Sequence, residues 1–309
     1  MATLFQSQPY DLSTTANFQA WTGFIRTLFL TTGGWTQSTD TGQTNPTTVG
    51  SVPGGMATFE IYKASDSLAG TAPLFVRVEY GQLSSRPSIG ITIGTGSNGA
   101  GVITGGGAHF QSNITASPGT TSTTGYDCVG SADSGSIRFL MWRNNPSNQV
   151  PVFIAIEREK DNTGTATGNS ITLFYAACSP DVAQVSGQNA IFYRQQTVLS
   201  SGAGGNVEGT FLVFQTSNGS AGLGTNVSAV PCFHMPGYIA CASLDVLVGK
   251  QNDWAEASTN SITHFGTAHN YYCTKLMQNL TNVGGVWYGT YTTNNAQTSA
   301  GNCLLFRYE

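Results

Sequence analysis

The second half of the chain contains the residue types that bind zinc. The candidates are Cys232, His234, Cys241, His264, His269 and Cys273. A zinc site needs four thiolate or imidazole ligands that converge on one point, usually presented by tight CxxC or HxxxH pairs. Neither spacing occurs here, and several residues beside the candidates are apolar or aromatic, namely Phe233, Met235, Tyr271 and Tyr272. We therefore predict buried thiols and hydrogen-bonded imidazoles, with no metal ligand among them.

A glycine motif follows a predicted strand at residues 94–99. Gly94, Gly96 and Gly99 match the GxGxxG pattern of dinucleotide-binding loops. That fingerprint also requires a helix to open at the third glycine, because the helix N-terminus holds the pyrophosphate. The next residues are again rich in glycine and cannot begin a stable helix, so we expect no nucleotide and no other cofactor.

Two acidic pairs are the remaining candidates for catalysis: Glu157 with Glu159, and Asp253 with Glu256. Glycosidases use two carboxylates on either side of the scissile bond. Basic residues lie equally close in sequence, namely Arg143, Arg158 and Lys160. Ion pairing explains the acids more simply, and the chain has no GxSxG nucleophile motif. We predict that the protein is not an enzyme, with a hydrolase kept as the weaker alternative.

Aromatic side chains could stack on sugar rings. The candidates for glycan contact are Trp254, Trp287 and Tyr288, and the same residues could equally belong to the core or to an interface.

The charged fraction is 9%, and the formal net charge is −4. An ordinary soluble domain has about 25% charged residues. Neutral polar surfaces lack the charge repulsion that keeps isolated proteins apart, and a copy that is covered by neighbours needs less of it. We favour an assembled protein over a secreted monomer coated in neutral polar residues. The basic residues are scattered, so nucleic-acid binding is not expected.

The sequence also lacks recognisable targeting signals. Residues 1–12 have no basic stretch followed by an apolar run, so we expect no signal peptide. No window reaches the length of apolar sequence that a membrane span requires. The six cysteines include no CxxC pair. Without a secretion signal, free thiols are favoured over a disulfide framework.

One helix is predicted over residues 14–31. Ser13, Thr14 and Thr15 offer capping hydroxyls, and Gly33-Gly34 ends the pattern. Apolar residues recur at three- and four-residue steps and form a stripe of Phe18, Trp21, Ile25, Leu28 and Phe29. The stripe must pack on the chain's own sheet or on a neighbouring subunit, and we predict these five residues as an interface.

After the helix the apolar period changes to two, which is typical of strands. Predicted strands are 58–63, 74–80, 89–93, 137–142, 152–158, 170–176, 191–193, 209–214, 238–242, 244–248, 285–291 and 303–308. We predict a mainly β protein, an antiparallel sandwich or barrel with one N-terminal amphipathic helix and long loops rich in Gly, Ser and Thr. Residues 1–309 form a single domain, and the Gly/Ser/Thr-rich segment 94–136 is a potential boundary between two β subdomains.

Three stretches of the sequence carry a resemblance to a known class. They are GGWTQ at 33–37, ITIGTGSNGAG at 91–101 and VFIAIEREKDNTG at 152–164. Together with the helix and strand pattern they resemble virion structural proteins of tailed double-stranded DNA bacteriophages, of the kind found in tail and fibre assemblies. The resemblance implies a multimeric tail-associated component in the virion that contacts copies of itself and other virion proteins. A head decoration protein and a module that binds a host-surface glycan are the alternatives.

Overall fold

The computed structural model describes residues 3–6, 12, 14–83, 86–106, 109–113, 126–143, 152–161, 163, 165–177 and 190–196, and beyond residue 196 only residues within strands. Described side chains lie within residues 12–82, 88–106, 128–139 and 154–171. The strands, in chain order, are β1 Thr3–Gln6, β2 Thr36–Gln37, β3 Gly55–Lys63, β4 Phe75–Leu83, β5 Arg86–Gly94, β6 Gly96–Ser97, β7 Ile103–Thr104, β8 His109–Asn113, β9 Tyr126–Asp133, β10 Ser136–Arg143, β11 Val152–Lys160, β12 Ala166–Ala177, β13 Ala190–Gln196, β14 Gln215–Thr216, β15 Cys232–Met235, β16 Tyr238–Cys241, β17 Val246–Lys250, β18 Thr259–His264, β19 Thr267–Cys273, β20 Leu280–Val283, β21 Val286–Tyr291 and β22 Asn302–Arg307.

The N-terminal helix α1 spans Thr15–Thr27 and continues as a π-helical turn over Leu28–Thr32. Thr14 caps it, because its side-chain oxygen accepts a hydrogen bond from the Asn17 backbone N–H at 3.2 Å. The turn closes where the Gly33 N–H donates to the Leu28 carbonyl at 2.9 Å. Gly34 then takes a positive φ of 66°, a conformation that glycine adopts at little cost. The predicted helix is confirmed, with its last turn widened into a π-helical turn.

The aromatic stripe of the helix packs inside the chain. Phe18, Trp21, Ile25, Leu28 and Phe29 are all buried in one hydrophobic core. Their places on that core make them unreachable by another subunit, so the interface assignment of these five residues is corrected to a core assignment. The sequence could not decide this point, because an apolar stripe of this kind can pack either on the chain's own sheet or on a neighbouring subunit.

Two antiparallel sheets meet at this core. The first has the order β2-β3-β4-β5-β8, and the second has the order β1-β9-β10-β11-β12-β13. Trp21 meets Tyr80 of β4 edge-on, and Phe29 stacks on Tyr62 of β3 with ring centroids 4.3 Å apart. Leu28 faces the second sheet, where a Cβ on Gly130 would lie 2.7 Å from its Cδ2 atom. The helix therefore contacts both sheets.

Three further sheets complete the described strands. β6 pairs with β7, and β14-β21-β20 and β15-β16-β17-β22-β19-β18 form the other two. All strand pairs are antiparallel except β14 with β21. The mainly β, antiparallel class with one N-terminal helix is confirmed, while the sandwich or barrel arrangement stays a prediction. The predicted strand 209–214 lies outside the described residues. Among those residues, no helix is long and apolar enough to cross a membrane.

The segment 94–136 is not one continuous loop. It contains the small hairpin of β6 and β7, then β8 of the first sheet and β9 of the second. The shared core includes residues from both sides of the segment, such as Ile91 and Phe139. Its role as a boundary between subdomains stays a prediction.

Replacement of Phe29 by alanine tests the core assignment of the stripe. We expect Phe29→Ala to lower the free energy of unfolding by about 3–5 kcal/mol, because a buried ring is lost and a cavity remains. Urea denaturation followed by tryptophan fluorescence measures the change. Val102→Ala is the control, since Val102 is 51% exposed and surface substitutions change stability by about 0.5 kcal/mol or less. Equal stability of the two variants would contradict the core assignment.

Candidate functional site

The described residues form a cleft of about 270 Å³ where the two sheets approach each other. It is lined by the turn between β9 and β10, by the end of β11, by the start of β12 and by the connection that follows β3. Six charged side chains surround it: Asp66, Asp133, Arg138, Glu157, Arg158 and Lys160. In a chain with few charges, this concentration makes the cleft the leading candidate for a functional site.

Glu157 lies at the centre of the charged group. Its side chain is 1% exposed, and its Oε1 accepts a hydrogen bond from the equally buried Arg138 Nε. Its Oε2 accepts from Lys160 Nζ at 3.3 Å. In a regular strand, residues 157 and 160 would point to opposite faces. The pairing of β11 with β12 shifts register between Arg158 and Lys160, with the extra residues on β12 between Ala166 and Ile171. The ladder is therefore irregular at the point where one carboxylate reaches two cations.

Arg158 forms the second half of the cluster. Its Nε and Nη2 atoms donate to the two carboxylate oxygens of Asp66, the latter at 2.9 Å. Its Nη1 donates to the Ala72 carbonyl at 2.7 Å. Asp66 and Ala72 belong to the connection between β3 and β4 of the first sheet, whereas Arg158 lies on β11 of the second. The guanidinium group thus joins the two sheets through three hydrogen bonds, and bidentate pairs of this kind fix geometry as well as charge.

The turn between β9 and β10 lies against the same connection. The Ser65 N–H donates to the Ser134 carbonyl at 2.9 Å, and Trp35 Nε1 donates to the Asp133 carbonyl at 2.7 Å. A Cβ on residue 135 would lie 2.4 Å from Asp66 Oδ2, so a larger residue there would have to displace the Asp66 carboxylate. These contacts hold the β9–β10 turn against the connection that carries Asp66.

The carboxyl group of Asp133 has a pKa below its ordinary value. Burial alone would raise that pKa, since it disfavours the charged form. The positive charge of Arg138 and the hydrogen bond from the Gly135 N–H, at 2.9 Å, act in the opposite direction and outweigh burial. Asp133 therefore stays ionised and adds a third negative charge beside three cations.

The arrangement suits stabilisation better than catalysis. Three acidic and three basic side chains line the cleft, so their formal charges cancel. The Glu157 and Asp66 carboxylates each use both oxygens on cationic donors. A general acid or base must instead reach a substrate proton directly or through one water. We name the group formed by Asp66, Arg138, Glu157, Arg158 and Lys160 the intersheet clamp.

A second buried acid is Glu60 on β3. Its Oε1 accepts from Arg26 Nε of the helix at 2.9 Å and from Gln37 Nε2 at 3.2 Å. Its Oε2 accepts from the Tyr62 hydroxyl at 2.6 Å. Burial, with the nearby Tyr80 and Glu60, raises the pKa of Tyr62 well above its ordinary value. The tyrosine therefore remains a neutral donor, and this network ties the helix to the first sheet.

The GxGxxG motif forms a hairpin loop. Asn98 Oδ1 accepts from the N–H groups of Ala100 and Val102, and Asp40 accepts from Ser97 Oγ and from the Gly101 N–H. Burial would raise the pKa of Asp40, but these hydrogen bonds lower it below its ordinary value. Three backbone donors that a phosphate would need are already engaged. β6 and β7 flank the loop, with no helix opening at Gly99.

The remaining site residues predicted from the sequence are described by the structure to different extents. Ion pairing of Glu157 is confirmed, but its partners are Arg138 and Lys160, while Arg158 pairs with Asp66. Asp253, Glu256 and Trp254 lie outside the described residues. For Glu159, Trp287, Tyr288 and the six Cys and His candidates, the structure describes only the strand positions. In the part of the chain with described side chains, no group of three or more His, Cys, Asp or Glu residues is placed to hold a metal ion.

Sequence reasoning missed Asp66, Asp133 and Arg138. Asp66 is 92 positions away from Arg158, and no local pattern connects them. A signal was present for Asp133, because Asp133-Ser134-Gly135 directly before the apolar run of β10 is typical of a turn.

No family model, curated protein or solved structure gives a significant match to this chain. The functional argument therefore depends on the sequence and on the geometry described above.

Removal of Asp66 tests the intersheet clamp. Asp66→Ala should lower the free energy of unfolding by about 3–5 kcal/mol, because it leaves the buried Arg158 guanidinium without its anion. In a double-mutant cycle with Arg158→Met, we expect a coupling energy of about 1–3 kcal/mol. Urea denaturation of the four proteins gives the values. Ser67→Ala is the control, as Ser67 is an exposed neighbour. Additive effects of the two substitutions would contradict the clamp.

Acid should unfold the protein partly through Asp133. Its folded-state pKa is below the ordinary value of 3.8, so the stability it contributes is present above pH 3.8 and is lost as the pH falls through the folded-state pKa. The expected slope for this one group is at most about 1.4 kcal/mol per pH unit. Unfolding free energies of the parent protein and of Asp133→Asn, measured between neutral pH and the acid transition, test this. The difference between the two should shrink as the pH falls, and a constant difference would refute the assignment.

Proposed function

We propose that this protein is a structural component of a bacteriophage virion, present in several copies and associated with the tail as a tail, adaptor or fibre-attachment protein. It acts through contacts with copies of itself and with other virion proteins. The observation that carries the proposal is the nearly uncharged character of its described surface, and the resemblance of the sequence to tail-associated proteins supports the phage setting.

The exposed residues share one chemical character. Among the residues whose exposure is described, those that are exposed are Thr, Ser, Gly, Ala, Asn or Val, with Asp161 as the single charged exception. Lys and Glu, which normally dominate exposed positions, are missing from this set. A surface of hydroxyl, methyl and backbone groups can be covered by a neighbour without the large cost of desolvating charges.

Most of the charged side chains that the structure describes are paired within the chain. Arg26 pairs with Glu60, Arg77 with Glu79, and the clamp residues with one another. Lys63 lies over the Phe75 ring, with its Nζ 5.7 Å from the ring centroid. These charges stabilise the fold and contribute little to repulsion between molecules. An isolated protein benefits from such repulsion, whereas a subunit of a permanent assembly does not need it.

Two alternatives differ from this proposal by location or by ligand. A head decoration protein would use the same surface chemistry at a different place in the particle. A glycan-binding module would depend on Trp254, Trp287 and Tyr288, whose side chains lie outside the described set. The described surface supports protein contacts, so the assembly proposal is favoured.

Association of the purified full chain tests the proposal. We expect a defined oligomer in light scattering coupled to size exclusion, and the same mass at about 50 mM and about 500 mM NaCl, because screening weakens only charged contacts. Mass spectrometry of phage particles from the same source should find the chain in several copies. A monomer that is absent from the particles would contradict the proposal. A monomer that binds glycans, and loses binding in Trp254→Ala, Trp287→Ala and Tyr288→Ala, would favour the receptor module.

A further inference from the structure

Two cysteines occupy facing positions of one hairpin. β15 and β16 are antiparallel, with Met235 opposite Tyr238 and Cys232 opposite Cys241. Only two residues, Pro236 and Gly237, separate the strands in sequence. Because Met235 faces Tyr238 with only two residues between them, the register itself defines a hairpin with a two-residue connection.

The length of the connection sets the kind of pair that the cysteines form. In a two-residue hairpin, the residues that flank the turn are a hydrogen-bonded pair, and the pairs then alternate along the strands. Counting from Met235 and Tyr238, the pair of Cys232 and Cys241 is of the non-hydrogen-bonded kind. Such pairs have Cα atoms about 4.5 Å apart, which is within the range of roughly 4.4–6.8 Å found for disulfides.

We propose that Cys232 and Cys241 are a modification site that closes into a cross-strand disulfide in an oxidising environment. A small-molecule disulfide such as oxidised glutathione is the oxidant. One cysteine thiolate attacks the glutathione disulfide, which forms a mixed disulfide and releases one glutathione thiolate. The facing cysteine thiolate then attacks the protein sulfur of the mixed disulfide and releases the second glutathione thiolate. Two protein thiols lose their protons and are oxidised, and one glutathione disulfide is reduced to two thiols.

The pairing is specific among the described strand positions. Cys128 faces Met141, Cys273 faces Leu305, and Cys303 faces Gly249. Within the described part of the chain, these three register positions therefore offer no cysteine across the strand pair. The sequence alone favoured free thiols throughout, because no secretion signal is recognisable. The register supplies what the spacing of the cysteines did not, namely one pair of cysteines at directly facing positions of two paired strands.

Peptide mapping of the full chain tests this site. The folded protein is equilibrated with oxidised and reduced glutathione, its remaining thiols are alkylated, and it is digested with chymotrypsin without reduction. Cleavage after Phe233 and Tyr238 separates the two cysteines, so we expect one disulfide-linked peptide pair containing Cys232 and Cys241. Two of the six thiols should be lost from the free-thiol count. Alkylation of both cysteines, or a stable glutathione adduct on either, would overturn the proposal.

Two variants make the result independent of folding defects. Cys303→Ser lies in the same sheet and should leave the linked pair unchanged. Cys241→Ser should abolish the pair and leave Cys232 as a glutathione adduct, because no second thiol resolves the mixed disulfide. If Cys241→Ser does not fold, the wild-type and Cys303→Ser maps still decide the question. A pair that links Cys232 to any other cysteine would also overturn it.

Discussion

The cost of burying charge without a partner is the constraint on which this structure depends. Arg138 and Glu157 are almost completely buried, and Arg158 is too. A buried ion persists only if counter-charges and hydrogen bonds replace the water it has lost. Asp66, Lys160 and the Ala72 carbonyl supply those groups from different elements. The two sheets must therefore stay in register with one another, because sliding one past the other would leave a buried charge unpaired.

The helix imposes a complementary, apolar constraint. Trp21 and Phe29 contact the first sheet, and Leu28 lies against Gly130 of the second. Leu28 reaches this position because Gly130 has no side chain. The Arg26–Glu60 pair then fixes the helix to the first sheet from its more polar side. Apolar packing supplies much of the affinity between the layers, and the ionic groups select one arrangement, since packing alone is not directional.

The sequence predicted those helices and strands whose apolar residues recur at a regular period. The helix stripe and strands such as β3, β4 and β5 show their periods because one face of each lies on the core. β9 was missed because Tyr126–Asp133 has little apolar alternation, and its small residues are required by neighbours such as Leu28. The charged cleft was only partly predictable. Ion pairing of Glu157 followed from the nearby cations, but its partner Arg138 depends on the pairing of β10 with β11. The Asp66–Arg158 pair depends on how two sheets pack, which no local pattern encodes.

The internal pairing of the described charges also bears on how the proposed virion subunit would recognise its neighbours. A surface of threonine, serine and glycine offers hydroxyl and backbone groups, which act only at hydrogen-bonding distance. Long-range electrostatic steering contributes little when the exposed charges are few. Selectivity must then come from close shape complementarity, which requires rigid surface loops. The loop at residues 98–102 has that property: Asp40, Asn98 and Arg77 hold its backbone at Gly101, Ala100 and Val102 through hydrogen bonds of 2.8–3.1 Å. Asp40 is buried and Arg77 is half-buried, so the two charged groups that order this loop add little charge to the surface.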